Sequence, residues 1–155
     1  MRAVIQRVLR SSVLSDGIPT GSTENGLMVL IGVRRGDDES DADVLVSKIS
    51  KLRIFSDENG KMNMSISDVG GSMLVVSNFT LYANYAHGNR PDYFESEAPA
   101  RADELYKYFV SEMRKTGINV STGVFGADMK IDMVCDGPVT IVMDSDIIKN
   151  KGKDK

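Results

Sequence analysis

One short segment, SNFTL at 77–81, holds polar groups of the kind that could act on an acyl substrate. An apolar run ends at Ser77, and Asn78 and Thr80 follow within three residues. Backbone and side-chain donors that gather at a strand end can form an oxyanion hole, which stabilises the charge developed during acyl transfer. The same residue types also serve simply to cap a strand end with hydrogen bonds. On residue types alone the cap is the more common use, and both interpretations stay open.

A second segment is CDGPVT at 135–140, where a Gly-Pro pair separates two strand-like runs. Proline lacks the amide donor that a sheet needs, and glycine weakens a strand. The pair therefore predicts an interruption at Gly137-Pro138. A plain turn is the commoner explanation for such an interruption. The alternative is that glycine, which has no side chain, allows bare backbone carbonyls to approach a ligand.

The rest of the sequence lacks the residues of the common catalytic sites. A Ser-His-Asp triad would have to use His87, the one histidine, which lies in a polar loop, and there is no G-x-S-x-G motif. Cys135 ends an alternating run with Met129, Ile131 and Met133, which predicts a core residue rather than a nucleophile. One histidine and one cysteine are too few for a zinc site. An enzyme built on this sequence is expected to use no metal and no cofactor.

Length and charge limit the classes of protein. The 155 residues predict one domain over 1–147, followed by a flexible basic tail at 148–155. A net charge of -3 disfavours a protein that coats long nucleic acids, but it allows a few cations to hold a short single-stranded end. We expect no membrane segment and no signal peptide, because no apolar run is long enough. The single cysteine excludes an intrachain disulfide and suits a cytoplasmic location.

The apolar patterns predict an α+β fold that must position these two segments. Helical stripes predict one helix that follows the acidic run at 37–43 and a second between Pro99 and Gly117. A loop is predicted around Pro19 and Gly21. Strands are predicted at 2–9, 11–15, 27–33, 53–55, 72–77, 118–122, 128–135 and 139–143. The order indicates mostly antiparallel sheets packed in layers, with two helices on one face.

Seven segments, taken in order, resemble one known family. They are MRAVIQRV (1–8), DADVLVSKISKLRIF (41–55), DENGKMN (57–63), SNFTLYA (77–83), GNRP (88–91), TGVFGADM (122–129) and DGPVT (136–140). Their order and spacing closely resemble those of the D-aminoacyl-tRNA deacylases. The resemblance implies hydrolysis of the ester between a D-amino acid and the 3′-terminal adenosine of tRNA, with removal of misplaced glycine as well. It also implies a homodimer, whose sheets associate across the twofold axis.

The resemblance also implies how the two segments work together. The SNFTL strand end of one subunit and a Gly-Pro with a cis peptide bond from the other would build one pocket. The Gly-Pro carbonyls would face the α-carbon of the substrate and exclude an L side chain, which makes Gly137-Pro138 a chirality gate. The 2′-hydroxyl of the terminal ribose would supply the reactive group. The protein would then only orient the ester and stabilise charge.

Residue roles follow from the same resemblance. The predicted catalytic residues are Ser77, Phe79 and Thr80, and the backbone N–H groups of the last two are the expected oxyanion donors. Phe125 and Gly126 would lie near the adenine, Gln6 and Arg7 would support the pocket or the dimer, and Arg90 would contact a phosphate. The predicted substrate-binding residues are Asn78, Gly137, Pro138, Phe125, Gly126, Met129, Arg7 and Arg90.

Some positions depart from the family pattern. Asn78 replaces the usual glutamine, Cys135 replaces the asparagine before Asp-Gly-Pro, and the loop at 84–92 is poor in cations. We therefore expect weaker tRNA binding with a shallower salt dependence than in more basic relatives. The departures also leave room for a nucleic-acid-binding or interaction module that kept the fold without hydrolysis. A purely structural dimerisation domain is a third interpretation.

Overall fold

The structure is a computed structural model that describes residues 1–151. The strands are β1 (Arg2–Ser15), β2 (Ile18–Thr23), β3 (Gly26–Gly32), β4 (Phe55–Ser56), β5 (Met62–Met64), β6 (Ser72–Ser77), β7 (Asn119–Thr122) and β8 (Met129–Asp144). The helices are α1 (Glu39–Ser50), α2 (Pro99–Lys115) and α3 (Ser145–Asn150), with a 3-10 turn at Phe79–Tyr82. The predicted α+β class is confirmed.

The main sheet is organised around β1, the second-longest strand. Its first half pairs antiparallel with β3 and its second half with β2, while β8 runs antiparallel along its whole length. β6 joins β3 and β7 joins β6, both in parallel, so the sheet is mixed although most pairings are antiparallel. β4 and β5 form a separate two-stranded sheet. The two strands predicted at 2–9 and 11–15 are thus one continuous strand.

The loop predicted around Pro19 and Gly21 is wrong, because these residues belong to β2. Asp16 and Gly17 both have positive φ, 49° and 80°, as the tight turn of a two-residue hairpin requires. Pro19 is tolerated because β2 lies at an end of the strand order. β2 also curls toward β7 so closely that a Cβ at Gly21 would collide with the Thr122 carbonyl oxygen. The curling encloses a small core between strands.

Two helices cover one face of the sheet, as predicted. The apolar stripes of α1 and α2 are buried against Ile5, Val29 and Val75 in the larger core. α1 begins with a capping box between Asp38 and Asp41, in which the Asp38 N–H donates to Asp41 Oδ2 at 3.0 Å. Asp38 Oδ1 also accepts from the Ser40 N–H at 3.0 Å. The smaller core on the opposite face is formed by Val8, Val13, Met28, Leu74 and Val76.

The placement of Cys135 in the core is wrong: its side chain is exposed. The alternation in β8 is present, but the side chains of Ile131 and Met133 are 36% and 37% exposed. β8 is an edge strand that pairs only with β1 among the described strands, and this part of its apolar face is left without a covering layer. An alternating pattern shows that one face of a strand is apolar. It does not show that the same chain buries that face.

The described part of the chain ends in a short helix. Residues 148–150, assigned to a flexible tail, belong to α3, where Lys149 Nζ lies 3.1 Å from Asp41 Oδ1. The remainder of the predicted tail, 152–155, lies outside the described residues. No helix within residues 1–151 is long and apolar enough to cross a membrane.

Candidate active site

A cavity of about 930 Å³ opens where β6 ends. One wall is the predicted catalytic segment, Ser77 to Thr80, and the opposite wall comes from the segment that leads into β8. Seven of the predicted site residues line it together: Ser77, Asn78, Phe79, Thr80, Phe125, Gly126 and Met129. The two walls are far apart in sequence and meet only because β6 and β7 are neighbours in the sheet.

The catalytic segment is a sharp turn from a strand into a 3-10 helix. The Asn78 N–H donates to the Ile31 carbonyl at 2.8 Å, which is the last bond to the sheet before the chain turns. The turn sits directly on β3, since a Cβ at Gly32 would lie 3.0 Å from Leu81 Cβ and 3.1 Å from the Asn78 carbonyl oxygen. Gly32 therefore permits this close approach.

The side chain of Asn78 caps the 3-10 turn. Its Oδ1 accepts from the Thr80 N–H at 3.2 Å and also from the Thr80 hydroxyl. Asparagine is among the best residues for this position, because its short amide reaches the first free N–H groups of a helix. The Phe79 N–H has no hydrogen-bond partner among the described residues. Of the two predicted oxyanion donors, the Phe79 N–H is therefore available, and the Thr80 N–H is held by Asn78.

Two residues outside the predicted site, Ser96 and Tyr93, support the turn from the other side. The Ser96 hydroxyl donates to the Phe79 carbonyl at 2.9 Å, and Ser96 is buried. The Tyr93 ring packs edge-on against Phe79, with centroids 5.0 Å apart. Phe79 is still 58% exposed, so one face of its ring remains open. Both supports lie in an irregular loop without periodicity, which is why no sequence pattern indicates them.

The opposite wall is built on aromatic packing. The Phe125 ring lies 6.1 Å from the Tyr106 ring, and the Tyr106 hydroxyl donates to the Val75 carbonyl at 2.8 Å. Burial raises the pKa of Tyr106 to about 12, so this hydroxyl stays protonated at neutral pH. Tyr106 belongs to the buried stripe of α2, and it is also a wall of the cavity. Gly126, with φ of +79°, turns the chain just after Phe125.

The Gly137-Pro138 segment bulges out of β8. Gln6 faces Thr140 and Val8 faces Cys135, so the four residues Asp136–Val139 stand opposite Arg7 alone. The predicted interruption is thus a bulge within one long strand. The peptide bond between Gly137 and Pro138 is cis, and both residues are exposed.

Arg7 and Gln6 hold this bulge. Arg7 Nε donates to the Asp136 carbonyl at 3.2 Å and lies 3.3 Å from Asp136 Oδ2. Its Nη1 donates to the Ile54 carbonyl at 2.7 Å, and the side chain is 11% exposed. The Thr140 hydroxyl donates to Gln6 Oε1 at 2.5 Å. The bulge is therefore braced at both ends by neighbouring residues of β1.

The structure does not bring all predicted site residues together within one chain. Four of them do not line the cavity at the end of β6: Gly137, Pro138, Arg7 and Arg90. Arg90 is exposed in the loop after the 3-10 turn. No group of three or more His, Cys, Asp or Glu side chains in the described part of the chain is arranged to hold a metal ion.

Comparison with known proteins identifies the family. A family model described as D-Tyr-tRNA(Tyr) deacylase matches residues 4–144. The chain belongs to this deacylase family. A D-aminoacyl-tRNA deacylase from Koribacter versatilis (strain Ellin345) is 52% identical over 145 residues, which cover 94% of this chain and 97% of that protein. One from Aquifex aeolicus (strain VF5) is 53% identical, with 94% and 98% covered.

Two solved structures share the fold of this chain. A protein described as c-Myc DNA Unwinding Element Binding Protein has a TM-score of 0.87 and 36% identity, and the match covers 93% of this chain and 98% of that one. A probable eukaryotic D-amino acid tRNA deacylase shares the fold, with a TM-score of 0.78 at 16% identity and 92% and 98% covered. The predictions of the deacylase family and of an enzyme are confirmed.

Proposed function

We propose that this chain hydrolyses the ester bond of D-aminoacyl-tRNA, which releases the free D-amino acid and tRNA and so removes amino acids of the wrong hand before translation. The observation that carries the proposal is the cavity at the SNFTL turn, in a chain about half identical to D-aminoacyl-tRNA deacylases. Its substrate is charged tRNA, and we therefore place its action in the cytoplasm.

The proposed chemistry uses the start of the 3-10 turn as an oxyanion site. The first N–H groups of a helix have no partner within the helix and are left to a side chain or a ligand. The Phe79 N–H is available to the ester carbonyl oxygen without rearrangement. The Thr80 N–H becomes available once the Asn78 side chain rotates away. A water molecule attacks the ester carbonyl, the bond to the 3′-oxygen breaks, and that oxygen takes up a proton. The 2′-hydroxyl of the terminal ribose is the reactive group that holds and activates the water, while the protein orients the ester and stabilises the developing charge.

The chirality gate is proposed to come from a second subunit. Gly137 and Pro138 are exposed and do not line the cavity of their own chain, which supports a site completed by a partner. Val142, on the same strand, is 65% exposed, and Ile131 and Met133 leave apolar surface for an interface. In the homodimer the Gly-Pro carbonyls face the substrate α-carbon and reject an L side chain. Glycine has no side chain to reject, so glycyl-tRNA is proposed as a second substrate.

Deacylation of matched D-Tyr-tRNA and L-Tyr-tRNA, with a chelator present, tests the main proposal. We expect release of D-tyrosine while the L-form stays largely intact, and release of glycine from glycyl-tRNA. Equal rates on the two hands would exclude the gate, and no release from any substrate would exclude the hydrolase. Sedimentation should show a dimer; a monomer with full stereoselectivity would exclude the cross-subunit gate.

A nucleic-acid-binding module without hydrolysis is the second candidate. It is favoured by the 36% identical protein whose description names DNA binding, and by the altered residues Asn78 and Cys135. Binding of tRNA or single-stranded DNA ends without turnover would support it. Turnover of D-Tyr-tRNA would decide for the hydrolase.

A further inference from the structure

A second cavity, of about 750 Å³, adjoins the first. Tyr106 and Phe125 line both, so the two rings form a shared wall. The second cavity lies between α2 and the segment 122–125, and its remaining apolar lining includes Val110 and Val124. A ligand that stacks on Phe125 in the first cavity can therefore extend past the ring into the second.

The second cavity is lined by more cations than anions. Lys107, Arg114 and Lys115 line it, with Asp103 as the one acidic lining residue. Arg114 Nη2 donates to the Val120 carbonyl at 3.0 Å, which fixes its guanidinium beside the cavity. These three residues are called the α2 cations below.

The ion pairs made by the two lysines leave them available to a ligand. Lys107 Nζ lies 2.8 Å from Asp103 Oδ2, and Lys115 Nζ lies 2.6 Å from Glu112 Oε1. The lysine side chains are 72% and 69% exposed, whereas the side chains of Asp103 and Glu112 are 29% and 24% exposed. Each ammonium has three N–H donors, so a phosphate can accept from the solvent-facing ones without breaking the ion pair.

We propose that the second cavity receives the nucleotides that precede the terminal adenosine of tRNA, with their phosphates against the α2 cations. This rests on the proposed function, in which the terminal adenosine stacks near Phe125. Proteins that bind single strands combine an aromatic face for the base with a basic groove for the backbone, and the shared wall provides this combination. Arg90, the phosphate contact predicted from sequence, lines neither cavity.

Charge reversal of both lysines, Lys107→Glu with Lys115→Glu, tests the proposal with two substrates. D-Tyr-tRNA carries the preceding phosphates, whereas 3′-O-(D-tyrosyl)adenosine carries none. We expect the KM for the tRNA to rise at least tenfold with little change in kcat, while hydrolysis of the nucleoside ester stays unchanged. The matched control is Lys48→Glu with Lys61→Glu, which makes the same change in charge at two exposed lysines that line neither cavity.

Binding of an uncharged oligonucleotide ending in CCA keeps the proposal separate from the hydrolase activity. The α2 double variant should bind it at least tenfold more weakly than the control variant. Its plot of log affinity against log salt should be shallower by about 1.4, which is about 0.7 for each lost phosphate contact on a single strand. Equal binding by both variants would overturn the proposal, whether or not the wild type is active. An equal rise in KM of the α2 double variant for the nucleoside ester would also overturn the proposal.

Discussion

The Asn78 amide oxygen accepts both the backbone N–H and the hydroxyl of Thr80. The residue that caps the 3-10 turn therefore competes with substrate for one of the two donors assigned to the oxyanion. A capping side chain normally contributes only stability. Here it also lies in the cavity where the charge is proposed to develop.

Replacement of Asn78 should separate these two effects. Asn78→Ala removes the cap and should lower the free energy of unfolding by about 1 kcal/mol, while kcat stays within about threefold because the Thr80 N–H is released. Asn78→Asp keeps a capping oxygen and should restore stability, but its negative charge beside the oxyanion should lower kcat about 100-fold. Urea unfolding and single-turnover deacylation measure the two effects. An Asp variant as fast as the wild type would show that the Thr80 N–H is remote from the oxyanion.

Arg7 is expected to control stereoselectivity through the bulge that it braces. Arg7→Met leaves the Asp136 and Ile54 carbonyls without this donor, which should cost about 1–3 kcal/mol of stability and let the bulge move. The ratio of D- to L-Tyr-tRNA deacylation rates should fall at least tenfold. Arg10→Met is the matched control. Arg10 pairs with Asp132 on the same two strands, but both side chains are more than half exposed. A selectivity that is unchanged in Arg7→Met would show that the bulge needs no brace.

Gly137 tests the gate at its centre. A Cβ at this position would lie 2.9 Å from Val139 Cγ2 and 3.2 Å from Arg7 Nη2, at a φ of +126° that L side chains rarely adopt. Gly137→Ala should therefore displace the bulge, lower stability by about 1–3 kcal/mol and reduce the selectivity for D-Tyr-tRNA. Gly60→Ala is the control, because Gly60 also has positive φ but a Cβ added there would have no atom within 4 Å. Equal selectivity in both variants would contradict the gate.

Asp41 should make stability depend on pH in the acid range. Burial alone would raise the pKa of this carboxyl, but hydrogen bonds from the Asp38 N–H, the Ser145 hydroxyl and the Lys149 ammonium lower it to about 2. Because the folded pKa lies below the ordinary value of 3.8, the stabilisation is complete above that value and is lost as the pH falls toward 2. In urea unfolding, Asp41→Asn should lower the free energy of unfolding by about 2 kcal/mol at pH 7 and by much less at pH 2.5.

The control for Asp41 is Asp68→Asn. Hydrogen bonds from Ser65 lower the pKa of Asp68 as well, but Asp68 is exposed, so its removal should change stability little at either pH. A difference between Asp41→Asn and the wild type that does not shrink in acid would show that the lowered pKa of Asp41 makes no contribution to stability.

The sequence by itself determined the local features of this protein. The stripes of α1 and α2, the strand at 72–77 and the polar turn that follows it are all encoded by residues a few positions apart. The family was recognisable because short segments such as SNFTLYA and DGPVT keep their order along the chain. Such signals depend on neighbouring residues, and a single sequence contains them in full.

Only the tertiary structure decided which distant residues meet. Arg7 and Asp136 are 129 positions apart, and no periodicity indicates that one braces the other. Tyr106 lies on the buried stripe of α2 and also lines two cavities, while Cys135 was expected in the core and is exposed. An apolar pattern states which face of an element differs from the other. Whether that face is covered, and by what, depends on how the strands pair and where the sheet ends.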